Sequence, residues 1–124
     1  MGQKLSDDYY HSKWKKIVNV MKNSNLKISR IAPAGSRAKR QHRPESDMDV
    51  IFSVSGNPSR NIFYPDLIKI LRSNFPLERV YPGSNYNVVH LNFKDSGKFE
   101  LILLTESEFD KEHKSILDYK RKYL

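Results

Sequence analysis

Two segments, Met48–Val54 and Phe99–Leu104, are apolar almost throughout, and each is broken by a single acid, Asp49 and Glu100. Short runs of this kind, rich in Val, Ile, Leu and Phe, read as strands that are covered on both faces. An acid at the mouth of such a strand needs a partner, because burying a lone carboxylate is strongly unfavourable. For Glu100 the simplest partner is an arginine or lysine. A fold for this chain has to place these two strands in its interior and still account for both acids.

The other elements follow from periodicity and end signals. Ser6 is a good N-cap, with Asp7 and Asp8 in the first turn of a helix that carries Tyr10, Trp14, Ile17, Val18 and Met21 at helical spacing. This helix is expected to end near Asn23–Asn25. Lys27–Ala34 reads as a strand running into Gly35, and residues 37–46, with Pro44, as a polar loop. After a break at Gly56–Ser59, a second helix from Arg60 or Pro65 to Ser73 is expected to bury Leu67, Ile68, Ile70 and Leu71, and Pro76 ends it. Tyr86–Phe93 and Phe99–Leu104, joined through Asp95–Gly97, form an antiparallel hairpin. Thr105 and Glu108 make a capping box for a last helix with Phe109, Ile116 and Leu117, closed by Lys120–Lys122. The order helix, strand, loop, strand, helix, hairpin, helix predicts one α+β domain over residues 1–124, a small mixed β-sheet with helices packed on one face.

Charge is distributed unevenly. Residues 1–45 hold eleven basic and three acidic side chains, whereas residues 46–124 hold eleven of each, so the whole formal excess of +8 lies in the first third. A polyanionic partner, nucleotide phosphates or nucleic acid, is one reading; a solvated helix face is the other. The chain has no cysteine, which excludes disulfides, thiolate metal sites and cysteine catalysis. No apolar run is long enough to cross a bilayer, and Met1–Tyr10 lacks a hydrophobic signal core, so an intracellular, cytoplasmic protein is expected.

The chemistry concentrates in Ala34–Val50. Asp47 and Asp49, spaced i and i+2 at the start of a strand, point to one face with Cα atoms about 6.5–7 Å apart. Such pairs are also common in turns. Two carboxylates so placed repel unless a cation lies between them, and oxygen-only ligation favours Mg²⁺ or Mn²⁺. Gly35 lets a phosphate approach its backbone closely, and Ser36 adds a hydroxyl. With Glu100 as a third acid on a neighbouring strand, one site for two divalent ions is the natural reading.

Gly35-Ser36-Arg37-Ala38 and Ser46-Asp47-Met48-Asp49-Val50, with eleven positions between Gly35 and Asp47, resemble the signature of the polymerase-beta-type nucleotidyltransferase superfamily. The first motif is most similar to the minimal nucleotidyltransferases; the Val88–Leu91 strand followed by Phe99-Glu100-Leu101 looks more like the third-acid region of the larger template-independent enzymes. The resemblance implies the nucleotidyltransferase palm and transfer of a nucleoside monophosphate from an NTP to an acceptor hydroxyl, on RNA, DNA, a protein or a small molecule. It implies metal ligation by Asp47, Asp49 and Glu100, and nucleotide binding by Gly35, Ser36, Arg37 and Lys39. Two positions depart from the pattern: the third acid is Glu where Asp is commoner, and Arg40 stands where minimal members often have Gly. The 20 residues after Leu104 leave room for one helix and no appended helical domain, so the expectation is that a homodimer or a helical partner protein completes the site or that base selectivity is poor.

Weaker candidates are Arg40 and Arg43 as triphosphate or acceptor contacts, His42 and His90 as structural residues, and Tyr81, Tyr86 and Trp14 as base-stacking rings, with core packing favoured for Trp14. A covalent role for Ser36 lacks a nucleophile elbow and an ordered base. The competing function is a catalytically silent palm acting as an antitoxin-like module that binds nucleic acid or a partner.

Overall fold

In the computed structural model, residues 6–24, 26–41, 43, 46–55, 60–83 and 87–124 are described, without the side chains of 60–64. Tyr86, His42, Pro44 and the break at Gly56–Ser59 therefore lie outside the described residues. The chain runs α1 (Asp7–Lys22), β1 (Ile28–Ala34), α2 (Gly35–Ala38), β2 (Met48–Val54), α3 (Arg60–Asn74), β3 (Leu77–Pro82), β4 (Val88–Phe93), β5 (Lys98–Leu104) and α4 (Glu106–Tyr123).

The two apolar strands β2 and β5 are neighbours near the middle of a five-stranded sheet of order β1-β2-β5-β4-β3. They pair in parallel, and the other three ladders are antiparallel. A parallel pair needs a crossover, which α3 and the β3–β4 hairpin supply. Each central strand has a backbone partner on both edges and side chains covered on both faces, which explains its near-continuous apolar sequence.

One face carries the larger core. Val50, Phe52, Leu101, Leu103, Leu91 and Phe93 pack there against Tyr10, Ile17 and Met21 of α1 and Leu67 and Leu71 of α3. Ile68 and Ile70, expected to be fully buried, are half-buried. The alternate residues Ile51, Ile102 and Ala32 point the other way and meet Phe109 and Ile116 of α4. The mixed-sheet palm is present as expected, with one difference: the helices are split between the faces, and α4 crosses the face away from α1 and α3. It packs chiefly on β1, β2 and β5, and on the rest of that face Tyr81, His90, Asn92 and Glu100 are half-exposed and Arg79 and Lys98 exposed.

Local signals worked as their chemistry dictates. Ser6 accepts from Tyr9 N–H at 3.1 Å, and Thr105 and Glu108 form the reciprocal capping box of α4. The hairpin turn after Phe93 is fastened to α1: the Tyr9 hydroxyl donates to Asp95, and Lys13 lies 3.8 Å from the same carboxylate. A Cβ on Gly97 would lie 2.8 Å from the Tyr9 ring, so the turn closes on the helix only with glycine there.

Candidate active site

The β2–β5 ladder runs without a break from Met48 opposite Phe99 to Ser53 opposite Leu104, and within it Asp49 stands opposite Glu100. Paired residues share a face, and the strand alternation puts these two on the side that α4 leaves partly open. Both are half-exposed. The partner of Glu100 is thus another acid, not the expected arginine or lysine. The Asp49 carboxyl is pushed up to about 7, first by burial, then by the charge of Glu100 and a hydrogen bond to it, and last by the charge of Asp47. Every one of these influences raises it, and none comes from a cation.

On the other edge of β2, Ala34 pairs with Asp49, so the chain leaves β1 directly beside that carboxylate. It turns there through Gly35, whose φ of +64° is in the left-handed region. A Cβ at Gly35 would collide with the Asp49 Oδ2 and stand 3.0 Å from its Cγ. Glycine is required here twice over, by backbone conformation and by space. Ser36 follows, half-buried, and its carbonyl accepts from Gln41 N–H at 2.8 Å.

Asp47 precedes β2 and is half-exposed. Its approach is fixed by Arg37, whose Nε and Nη2 donate to the Ser46 carbonyl at 3.2 and 3.0 Å. The same guanidinium lies 3.7 Å from the centre of the Tyr10 ring and pairs with Asp7 at 3.1 Å. Its side chain is only 7% exposed. Arg37, for which nucleotide binding is expected, also joins α1 to the start of β2. Lys39 lies 5.2 Å from the Tyr119 ring, and Gln41 donates to the Tyr119 hydroxyl, so α4 anchors this loop. Arg40 has φ +56°, the conformation for which the family's usual glycine is suited.

The basic residues of the first third are dispersed by the fold. Lys13 and Arg30 reach Asp95 and Asp110. Lys15, Lys16 and Lys22 are exposed on α1, which covers the sheet face away from Asp49 and Glu100. The positive helix surface therefore does not adjoin the acids. Trp14 packs against the core, as expected, although its buried indole N–H has no partner among the described residues.

The acids fit a hard cation by donor type and by electrostatics. All three offer oxygen only, and the facing pair relieves its repulsion in isolation by holding a proton, a place that a divalent ion can take. Among the described residues no three acids or imidazoles are already gathered as a ligand set; Asp49 and Glu100 form the pair, with Asp47 two positions away along the chain.

The model of the nucleotidyltransferase domain family matches residues 14–124. No curated protein matches the chain. Among solved structures it is similar to the CD-NTase CdnG of Bradyrhizobium diazoefficiens in complex with GTP, with 14% identity and a TM-score of 0.55 over 75% of this chain and 30% of that one. It is also similar to terminal uridylyl transferase 4 of Trypanosoma brucei with bound GTP, with 14% identity and a TM-score of 0.67 over 96% of this chain and 36% of that one. The chain spans about a third of the length of these two proteins, and at such identity the likeness is one of fold. With a five-stranded palm and a family match over nearly its full length, the chain belongs to the nucleotidyltransferase domain family, of the polymerase-beta type that its Gly-Ser and Asp-Met-Asp motifs resemble.

Proposed function

We propose that this domain transfers a nucleoside monophosphate from an NTP to an acceptor hydroxyl, releasing pyrophosphate, at the Asp49–Glu100 pair. The observation that carries the reading is the direct opposition of these carboxyls across β2 and β5, beside a glycine turn that leaves no room for a side chain. The GTP bound to both solved relatives supports an NTP as the ligand.

Asp47, Asp49 and Glu100 would hold Mg²⁺ or Mn²⁺, two ions in the arrangement the motif implies. Bound ions would supply charge neutralisation and alignment at the phosphates. The chain's own residues do the rest. Gly35 lets the triphosphate approach its backbone next to the acids, and the Ser36 hydroxyl stands beside it. Arg37 holds Ser46, and through it Asp47, in place, and Lys39 contributes positive charge from the α2 loop. In the transfer, a bond forms between the acceptor oxygen and the α-phosphorus. The bond from that phosphorus to the bridging oxygen breaks, pyrophosphate leaves with the electron pair, and the hydroxyl proton passes to the Glu100 carboxylate. A second copy or a helical partner protein would cover the base.

The test is incubation with labelled NTPs, Mg²⁺ or Mn²⁺, and RNA, DNA and protein acceptors, beside the Asp47→Asn/Asp49→Asn variant. Metal-dependent label transfer that the variant lacks supports the transferase. Nucleic-acid binding without transfer, indifferent to the two substitutions, supports the silent binding module instead.

A further inference from the structure

The open part of the sheet continues the line of the acids. Glu100 pairs with His90 on β4, and His90 pairs with Tyr81 on β3, so Asp49, Glu100, His90 and Tyr81 form one row across four strands. At its far end the row is aromatic. The His90 and Tyr81 rings are stacked, 4.7 Å between centres and 14° from parallel. Gly83 lies beside the imidazole, where a Cβ would come within 3.1 Å of its Nε2.

A second row runs beside the first, one alternation away along the strands, about 6.5–7 Å. It consists of Arg79 opposite Asn92 and Asn92 opposite Lys98. The Arg79 guanidinium also lies 4.4 Å from the Tyr81 ring centre. Arg79 and Lys98 are exposed, and neither makes an ion pair among the described residues. A stacked ring pair with an exposed arginine against Tyr81 and an exposed lysine two strands away suits a nucleic-acid strand, whose bases stack on rings and whose phosphates seek positive charge.

Position relative to the acids separates the two substrates. Gly35 and Ser36 lie on the β1 side of Asp49, while His90 and Tyr81 lie on the β4–β3 side of Glu100. In-line displacement requires the attacking and leaving oxygens on opposite sides of the phosphorus. With the leaving phosphates at Gly35, the attacking hydroxyl arrives from the side of His90. We propose that Tyr81 and His90, with Arg79 and Lys98 beside them, seat the 3′-terminal nucleotides of a single-stranded nucleic-acid acceptor. This rests on the transferase reading for its direction, but the platform is testable without turnover.

The experiment measures fluorescence anisotropy of 5′-fluorescein-labelled ten-nucleotide RNA and DNA with a free 3′ hydroxyl, and separately the binding of a fluorescent NTP analogue. The variants are Tyr81→Ala, His90→Ala, Tyr81→Phe and Arg79→Gln/Lys98→Gln, each checked for an unchanged melting profile. Tyr81→Ala and His90→Ala should each weaken oligonucleotide binding about tenfold, and Tyr81→Phe should retain it. Arg79→Gln/Lys98→Gln should reduce the slope of log affinity against log salt by about 1.4. Affinity for the NTP analogue should stay unchanged in all four. Oligonucleotide affinity within twofold of wild type in the folded Tyr81→Ala and His90→Ala variants overturns the proposal; so does a loss confined to the NTP analogue, which would place the incoming base on the platform. Label transfer to an oligonucleotide that persists undiminished in those variants retires the platform and leaves the transferase standing. Oligonucleotide binding that follows the two rows in a protein without transfer activity does the reverse.

Discussion

Replacing Asp49 by Asn should stabilise the metal-free protein at neutral pH while removing a ligand the proposed reaction needs. In the unfolded chain this carboxyl titrates near 3.8, and in the folded domain it is pushed up to about 7. A raised carboxyl binds its proton more tightly when folded, so its contribution to stability is fully present below about pH 4 and is lost as pH rises to about 7. Three units correspond to roughly 4 kcal/mol at about 1.4 kcal/mol each. More than a third of the group is open to water, and screening there reduces the figure to about 1–2 kcal/mol. For a chain of this length that is a melting shift of about 4–8 °C. The asparagine side chain carries no charge and lacks this loss. Thermal unfolding in EDTA, from pH 4 to pH 8, should therefore show the Asp49→Asn advantage opening between pH 4 and 7 and then levelling. Adding Mg²⁺ at pH 8 should raise the wild-type melting temperature and leave the variant where it was. Parallel melting curves at all pH values would refute the electrostatic reasoning, because they would mean the facing carboxyls cost the fold nothing.

Further consequences are open to the same instruments. Gly35→Ala forces a Cβ onto the Asp49 carboxylate from a left-handed backbone, and calorimetry should show a loss above the ~1–2 kcal/mol of the conformation alone, with transfer activity abolished. Arg40→Gly relieves the left-handed arginine and should raise stability by about 1 kcal/mol in urea unfolding; a decrease would mean that the exposed side chain has a structural partner. Arg37→Lys cannot reproduce the forked contact with the Ser46 carbonyl or the flat contact with Tyr10, and should lower kcat as well as the melting temperature. The Thr105 contacts hold the Glu108 carboxyl below its usual range, so the stability they add is present above its ordinary titration point and lost as the solution becomes more acidic. Thr105→Ala should cost about 1 kcal/mol at pH 7, measured by denaturant unfolding.

The fold's interior is readable in the sequence because it depends on apolar runs and caps. Met48–Val54 and Phe99–Leu104 announce two central strands, and Ser6 and Thr105 announce helix starts with the bonds observed. β3 is not legible. Its buried residues Leu77 and Val80 are three apart because the register shifts between Leu77 and Arg79, so the period of two that marks a strand is missing. Without β3, the stack of Tyr81 on His90 cannot be seen either, and His90 reads as a structural histidine. The acids are legible as individuals, since a carboxylate inside an apolar strand is conspicuous. Their mutual register is not, because it is set by the crossover between strands far apart in sequence. The structural contacts of Arg37 are hidden for a related reason: its partners, Tyr10 and Asp7, sit almost thirty residues earlier on another element.

The parallel pairing of β2 with β5 has a consequence for how the protein can be divided. Cutting the backbone anywhere between Val54 and Leu77 separates the aspartates from the glutamate, leaving each piece with part of the ligand set and one unsatisfied sheet edge. Neither half should bind a divalent ion or an NTP alone. Mixing them should restore the centre only as fast as the ladder re-forms, which makes this domain a candidate two-part reporter whose signal is the assembly of its own catalytic seam.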